Sequence, residues 1–486
     1  MARRRRLSPK VSVGVVYVTA MFMAIMDATI VNVALPTLAR DFHVHTTAVE
    51  VVVVSFLVSL AVFIPASGWL ADRFGDKRVL LVAIGVFTGA SALCGLAQDL
   101  PELVGFRILQ GVGGGMLTPV GMSMLYRTFA PHERIGASRI LILPTAFAPA
   151  LGPVVGGLFV TEVSWRWVFY VNVPIGCFAI AFGAWFIDEH RAKTVGGFDW
   201  AGFLLSGAGF ASLMYCLSEG PSLGWHARPV LATGVTGLVL LAGLVWVELR
   251  VRCPMLNLRL MRNRLFRTTN IVMFLGLSAF IGTLYLLALF YQNGLGQTAL
   301  VSGLGTFPEA IGIMVGSQVS TRLFARFGPR RVIAAGLTAV AVFLTLASRV
   351  GAGPDALWIM RGLVFCLGYS MSHVFVPAGV AAFASVSRAE TAQASAIFNS
   401  VRQLGGAAGV AVLTTILAAV GPFHVAGHVE VPQLGAYHAA FLAAAAIALV
   451  AAGVALTIHD SDAASSMRRA DEPRGDDAAL PSALGS

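Results

Sequence analysis

Ile25–Pro36 reads IMDATIVNVALP, and its third residue is out of keeping with the rest. From Val11 to Leu38 the chain is otherwise apolar or small, long enough for a membrane crossing, which takes about 20 residues. Asp27 stands near the middle of that run. A charge at such a depth costs roughly 2.5–3.5 kcal/mol on insertion scales, so it is expected to face a bundle interior and a partner. What surrounds this helix decides both the fold and the role of the carboxylate.

Composition sets the solvent. The chain is 57% hydrophobic and 12% charged, with a mean hydropathy of +0.79, whereas soluble domains run near 45–50% apolar and about 25% charged. Apolar windows recur from end to end, and we read fourteen spans: about 12–38, 48–71, 79–98, 102–126, 136–160, 167–187, 200–219, 228–248, 268–291, 301–322, 331–349, 354–386, 391–420 and 435–458. MARRRR at the start resembles a signal-peptide n-region. The apolar run after it is too long for the 7–15 residues of a secretory h-region and reads as a retained span.

Charge placement tests that count. With both termini on the cytoplasmic side, 27 of the 34 basic residues fall in cytoplasmic segments and only four, Arg40, Arg166, Arg228 and Arg349, in outer loops. Such asymmetry is the positive-inside signal. The remaining three, Arg107, Arg361 and Arg402, lie within spans. The net charge of +10 therefore reads as an insertion signal beside anionic lipid, not as a nucleic-acid surface. Five cysteines without CxxC spacing read as packing residues, with no metal site. From Asp460 onward the composition is that of a disordered tail.

The chain repeats itself. LADRFGDKRV at Leu70–Val79 returns as LFARFGPRRV at Leu323–Val332, 253 positions later. Arg107 in LVGFRILQGVGGG is matched by Arg361 in LWIMRGLVFCLGY at an offset of 254. Two parallel six-span halves fit this register, with the spans at about 200–248 unpaired between them. The expected division is 1–190 for an N-terminal six-helix bundle and 191–264 for two additional helices and a cytoplasmic linker; 265–459 forms a C-terminal six-helix bundle and 460–486 the tail.

Particular stretches carry a family resemblance. Gly68-Trp-Leu-Ala-Asp72-Arg73-Phe-Gly75-Asp-Lys-Arg78 resembles the loop signature GxLaDrxGrkr of the major facilitator superfamily, where it latches the cytoplasmic side. Its physical content is a tight turn at Gly75 and an Asp72 able to face a cation or a helix N-terminus. Arg107-Ile-Leu-Gln110-Gly111 resembles the RxxxG motif assigned there to proton coupling; Asp27, at a similar depth by residue count, is its candidate partner. Gly152-Pro153-Val-Val-Gly156-Gly157 resembles the GPxxGG end of the exporter motif, with Ala148 where glycine is usual. Ala148, Gly152 and Gly156 form a small-residue seam for close helix approach, and the prolines, Pro153 among them, should bend the helix.

MDATIVNVALP, WRWVFYVNVPIG at Trp165–Gly176, FDWAG at Phe198–Gly202 and NSVRQLGGAAGVA around Arg402 narrow the resemblance to the fourteen-span drug:proton antiporters of the EmrB/QacA type. The resemblance implies an all-α integral membrane protein with the major facilitator fold: two pseudo-symmetric six-helix bundles plus two inserted central helices, fourteen transmembrane helices in all. It implies a multi-pass protein of the cytoplasmic membrane with both termini cytoplasmic. The expected partners are protons, membrane lipid and a small lipophilic substrate, with no cofactor, ATP or nucleic acid. Its activity would be proton-coupled export of lipophilic or cationic drugs or antibiotics; alternatives are a dedicated exporter of one host-made natural product, an importer, and a non-transporting sensor or scaffold.

Other patterns point away from enzymes. GVGGGM at Gly111–Met116 fails GxGxxG, no lysine ends a GxxxxGK[ST] loop, and His132-Glu133 lacks the second histidine of HExxH. Glu309 in FPEAIGIMVG is the other acid deep in a span. It is assigned with Asp27 and Arg107 to proton coupling, while pairing with Arg361 or Arg402, contact with a cationic substrate, or a place nearer the outer surface remain open. His373 reads as a packed residue or a proton relay.

Overall fold

The computed structural model describes residues 7–44, 49, 51–130, 133–134, 147–148, 151–152, 154–191, 196–251, 254–387, 389–421, 423–426 and 429–463. Helices dominate. The first, α1 (Pro9–Asp41), starts where Ser8 accepts from Val11 N at 3.3 Å, with proline at the tolerated first position. Next, α2 (Val51–Phe63) and α3 (Ala66–Phe74) form one pair bent by 55°, the break falling at Pro65, which cannot donate to the helix ladder. Then come α4 (Asp76–Leu96) and α5 (Leu100–Thr128), the latter capped by Asp99, which accepts from Glu102 N at 2.8 Å.

Residues 154–162 are helical (α6), followed by the short α7 (Trp167–Tyr170) and by α8 (Asn172–Phe186). Most of the expected span 136–160, Pro153 included, lies outside the described residues. The pair between the halves is α9 (Trp200–Leu223) and α10 (Arg228–Glu248). In the second half, α11 (Arg264–Leu289) runs into a π-turn at Phe290–Gly294, followed by α12 (Ala299–Ala347), α13 (Ala356–Ala382), α14 (Thr391–Val420) and α15 (Leu434–Ala455). A small antiparallel hairpin, Phe423–Ala426 with Val429–Pro432, joins α14 to α15. Among the described residues, ten helices are long and apolar enough to cross a membrane, or eleven with the bent pair.

At 49 residues, α12 would be about 70 Å long if straight, more than twice a hydrocarbon core. It is not straight. Gly328 interrupts it with φ 76° and ψ 168°. The first-half counterpart, Gly75, has φ 99°. Both turns sit under a carboxylate: Glu189, just past α8, accepts from Lys77 N at 3.1 Å, and Asp460, just past α15, accepts from Arg330 N at 2.9 Å. The sequence repeat is thus also a repeat of capping chemistry. Asp460–Ala463, which composition assigns to a disordered tail, instead form a 3₁₀ turn with Ala463 buried.

Apolar packing falls into clusters. One, around Phe266, Phe290, Tyr437 and Phe441, fills the second half. Two lie in the first half, one around Met23, Phe87 and Met116, the other around Ile30, Leu38 and Phe169. Asp27 sits on α1 between these two clusters.

A Cβ at position 328 or 75 would strain the backbone and meet the capping carboxylate. Gly328→Ala and Gly75→Ala are each expected to lower stability by about 1–3 kcal/mol, read as a lower unfolding temperature of the purified protein. Gly351→Ala, with nothing within 4 Å, should leave it unchanged.

Candidate functional site

Asp27 is completely buried, and three neutral or charged donors converge on it. Its Oδ2 accepts from Arg107 Nη1 at 2.7 Å; its Oδ1 accepts from Gln110 Nε2 at 2.9 Å and from Asn172 Nδ2 at 2.8 Å. The helices α1, α5 and α8 each supply part of the set. Gln110 lies three residues after Arg107, on the same helical face, and its Oε1 accepts a second bond from Arg107 Nη1 at 2.6 Å. Asn172 also donates to Ser91 Oγ at 3.0 Å, and Ser91 donates to Phe169 O at 2.9 Å.

Arg107 is 1% exposed. Its Nε donates to Val52 O at 3.2 Å, and its guanidinium lies 4.2 Å from the Phe56 ring centroid. Such a charge pair survives burial because hydrogen bonds and an aromatic face replace the water it has lost.

The same register in the second half gives a different site. In the first half Ser59 donates to Ile108 O, Gly111 lies against Phe56 O, and Gly113 lies against Ala83 O. Their counterparts are Gly312 against Phe365 O, Gly368 against Glu309 O, and Gly336 against Ser370 O. These contacts carry an offset of 253 for the second and third helices of each half but 257 for the fourth. Arg361 is therefore not the counterpart of Arg107, as the offset of 254 implies. A longer connection between α12 and α13 moves the register by about one turn. Arg361 instead lies over Trp358, 4.7 Å from the ring centroid.

The true counterparts are apolar. Val364 takes the place of Arg107, Leu367 of Gln110 and Leu344 of Ser91, while Glu309 takes the place of Phe56. These four, with Phe280 and Thr283, line a cavity of about 10 Å³, room for about one water molecule. Among the described residues Glu309 forms no ion pair, Arg361 and Arg402 included. Arg402 faces Tyr17 and Tyr126 across the two halves, and among the described residues its Nε is buried without a hydrogen-bond partner. His373 is bound locally, its Nδ1 2.9 Å from Tyr369 O.

The loop signature forms a second charged cluster. Arg127 donates to Asp72 Oδ1 at 2.9 Å and to Asp76 Oδ2 at 2.8 Å. Asp72 thus faces a cation that the sequence reading did not select, and Asp76 shares it. Arg73 is exposed, and Arg78 reaches Glu189 at 3.5 Å. His190 beside them is held below its ordinary pKa by burial and then by the Arg127 charge. Gly68 packs against Ala392 O at the start of α14. At this end of the bundle the halves are in contact: Arg134 donates to Phe383 O at 2.9 Å, Ser395 donates to Pro119 O at 2.8 Å, and Tyr126 stacks on Phe383 at 4.4 Å.

The small-residue seam packs on α1. Gly152 and Gly156 lie against Thr29 and Ile30 of α1, within one turn of Asp27, and Ala148 is buried. Gly157 has nothing within 4 Å of its Cβ direction and takes no part.

Two halves built on one repeat, with a buried ion pair in one and a charged loop cluster beneath it, fit the repeat architecture of membrane transporters. Residues 17–410 match the family model of the major facilitator superfamily, and the chain belongs to that family. It is 32% identical over 407 residues to "Multidrug resistance protein B homolog" of Mycobacterium tuberculosis, covering 83% of this chain and 75% of that protein. It is 30% identical over 421 residues to "Putative multidrug resistance protein MdtD" of Serratia proteamaculans, covering 87% of each. It is 33% identical over 409 residues to "Fatty acid resistance protein FarB" of Neisseria gonorrhoeae, covering 82% of this chain and 78% of that one.

Among solved structures, the human organic anion transporter MFSD10 (TETRAN) superposes with a TM-score of 0.66 at 14% identity, covering 92% of this chain and 100% of that one. The proton:xylose symporter XylE gives 0.63 at 14%, with 92% and 94% covered. These two share the fold.

Arg107→Ala would strand the Asp27 charge in an apolar interior. The expected loss is about 3–5 kcal/mol, and Asp27→Asn added to Arg107→Ala should recover much of it. Thermal unfolding of the single and double variants measures both.

Proposed function

We propose that this transporter exports lipophilic, often cationic, compounds across the cytoplasmic membrane in exchange for protons, with Asp27 as the proton-carrying residue. The observation that carries the reading is the convergence of Arg107, Gln110 and Asn172 on one fully buried carboxylate. All three aim hydrogen-bond donors at its two oxygens in this conformation. Protonation removes the charge that keeps them in place, so the proton and the arrangement of α1, α5 and α8 are linked. Coupling requires only that proton and substrate favour different states.

The proposed count is fourteen crossings: the ten long apolar helices with α12 divided at Gly328, the α2–α3 pair taken as one, α5, and the sequence span at 136–160. The proposed division is 1–190 and 265–459 for the two bundles, 191–264 for the inserted helices and linker. The loop signature then lies on the cytoplasmic side with both termini, where the contacts from Gly68, Arg134 and Ser395 close the halves against each other. In this reading the cytoplasmic end is the closed one, and the proton is taken up from the other side. Glu309 is the second carboxylate of the scheme: a bare anion in an apolar cavity is costly, and a proton relieves that cost. Gly152 and Gly156, pressed on α1 beside Asp27, tie the exporter-type seam to the same helix.

The substrate class rests on the relatives' names. Multidrug export is the first reading; fatty acids are the second, because one relative is named for resistance to them. In everted membrane vesicles, Asp27→Asn is expected to lose gradient-driven transport at least tenfold while remaining in the membrane, and Glu309→Gln to lose part of it. Unchanged transport by Asp27→Asn would overturn the role given to Asp27. A panel of lipophilic cations, aromatic antibiotics and long-chain fatty acids separates broad export from dedicated export.

A further inference from the structure

Two more carboxylates are buried away from the coupling site, where the inserted helices meet the linker. Asp199 caps α9, its Oδ1 accepting from Gly202 N at 2.8 Å. Glu248 ends α10, its Oε1 accepting from Leu256 N at 3.1 Å. Asp199 is 9% exposed and Glu248 is 0% exposed. Among the described residues, the remaining oxygens, Asp199 Oδ2 and Glu248 Oε2, are buried with no hydrogen-bond partner.

The two groups close on one point. A Cβ placed on Gly202 would lie 2.5 Å from Asp199 Oδ2 and 2.6 Å from Glu248 Oε1, so these oxygens are no more than about 5 Å apart. Gly202 is what leaves room for both side chains. Nearby cations are turned elsewhere. Arg250 lies over the Trp246 ring at 4.0 Å, and Arg259 donates to Leu249 O and Val251 O. From the start of α11, Arg264 reaches His459 and Thr457 O, and Arg267 reaches Met261 O. From the α2–α3 side, Phe63 packs on Phe203 and Trp69 on Phe198, while Arg73 is exposed. Among the described residues, the only charge acting on Glu248 is that of Asp199.

Two anions this close repel each other, and among the described residues no cation pairs with either to offset their burial. We propose that Asp199 and Glu248 bind one proton between them, as a carboxyl–carboxylate hydrogen bond that clips the start of α9 to the end of α10. The proton comes from cytoplasmic water and returns to it; one O–H donates to the facing oxygen and no other bond changes. The clip reaches further through Leu256 N, which Glu248 holds, to the linker that leads into α11. It is independent of Asp27 and makes the inserted helix pair responsive to cytoplasmic pH.

The sign follows from where the proton is bound. The folded form keeps it and the unfolded chain does not, so the clip's contribution is present at low pH and is lost as pH rises past the pair's titration. In the full-length protein in lipid, infrared difference spectra between acid and alkaline pH should contain a protonated-carboxyl band that Glu248→Gln and Asp199→Asn each remove. The same variants should flatten the wild-type fall in unfolding temperature with rising pH, because an amide donates the missing bond permanently. A band unchanged in both variants would overturn the proposal. So would a rise in wild-type unfolding temperature with added sodium or magnesium that Glu248→Gln abolishes, which would make the pair a metal-cation site.

Discussion

The bond between Arg107 and Asp27 has no water to fall back on, and the packing of the first half follows from that constraint. A buried ion pair gains little over a well-packed apolar pair, yet breaking it costs several kcal/mol. Each remaining lone pair and proton therefore needs a partner, and α5 and α8 meet α1 where Gln110 and Asn172 can supply them. Phe56 covers the guanidinium face, Val52 O takes its Nε, and Gly152 and Gly156 allow the neighbouring helix to approach α1 closely. Apolar clusters above and below Asp27 then exclude solvent.

The second half shows what the fold does when that pair is absent. The backbone contacts repeat, glycine against carbonyl, while Val364, Leu367 and Leu344 stand where Arg107, Gln110 and Ser91 stand in the first half. Close helix packing is thus independent of the polar network. Glu309 enters from a position held by Phe56 in the first half, so it meets a cavity and not a partner. The halves are alike in scaffold and unlike in electrostatics.

Much of this is legible in the residues. Hydropathy marks the spans, the RFG repeat marks the two halves, and the shared depth of Asp27 and Arg107 makes them partners. The neutral donors are harder to read, because Gln110 and Asn172 carry no charge to betray their burial, although both lie inside the family-like stretches. Arg127 is invisible as the partner of Asp72 because it reads as one more positive-inside residue. Arg361 misleads for a physical reason: a longer connection shifts α13 by about a turn, so a match in sequence is not a match in space. The glycines behave as their spacing predicts: Gly152 and Gly156, four apart, meet α1, and Gly157, off that register, does not.

The central claim is that Asp27 exchanges a proton when the substrate binds. Purified protein in weakly buffered detergent, mixed with a transported lipophilic compound in the presence of a pH-sensitive dye, tests it directly. The account predicts proton release by the wild type and none by Asp27→Asn with substrate still bound. Equal release from both proteins would contradict it.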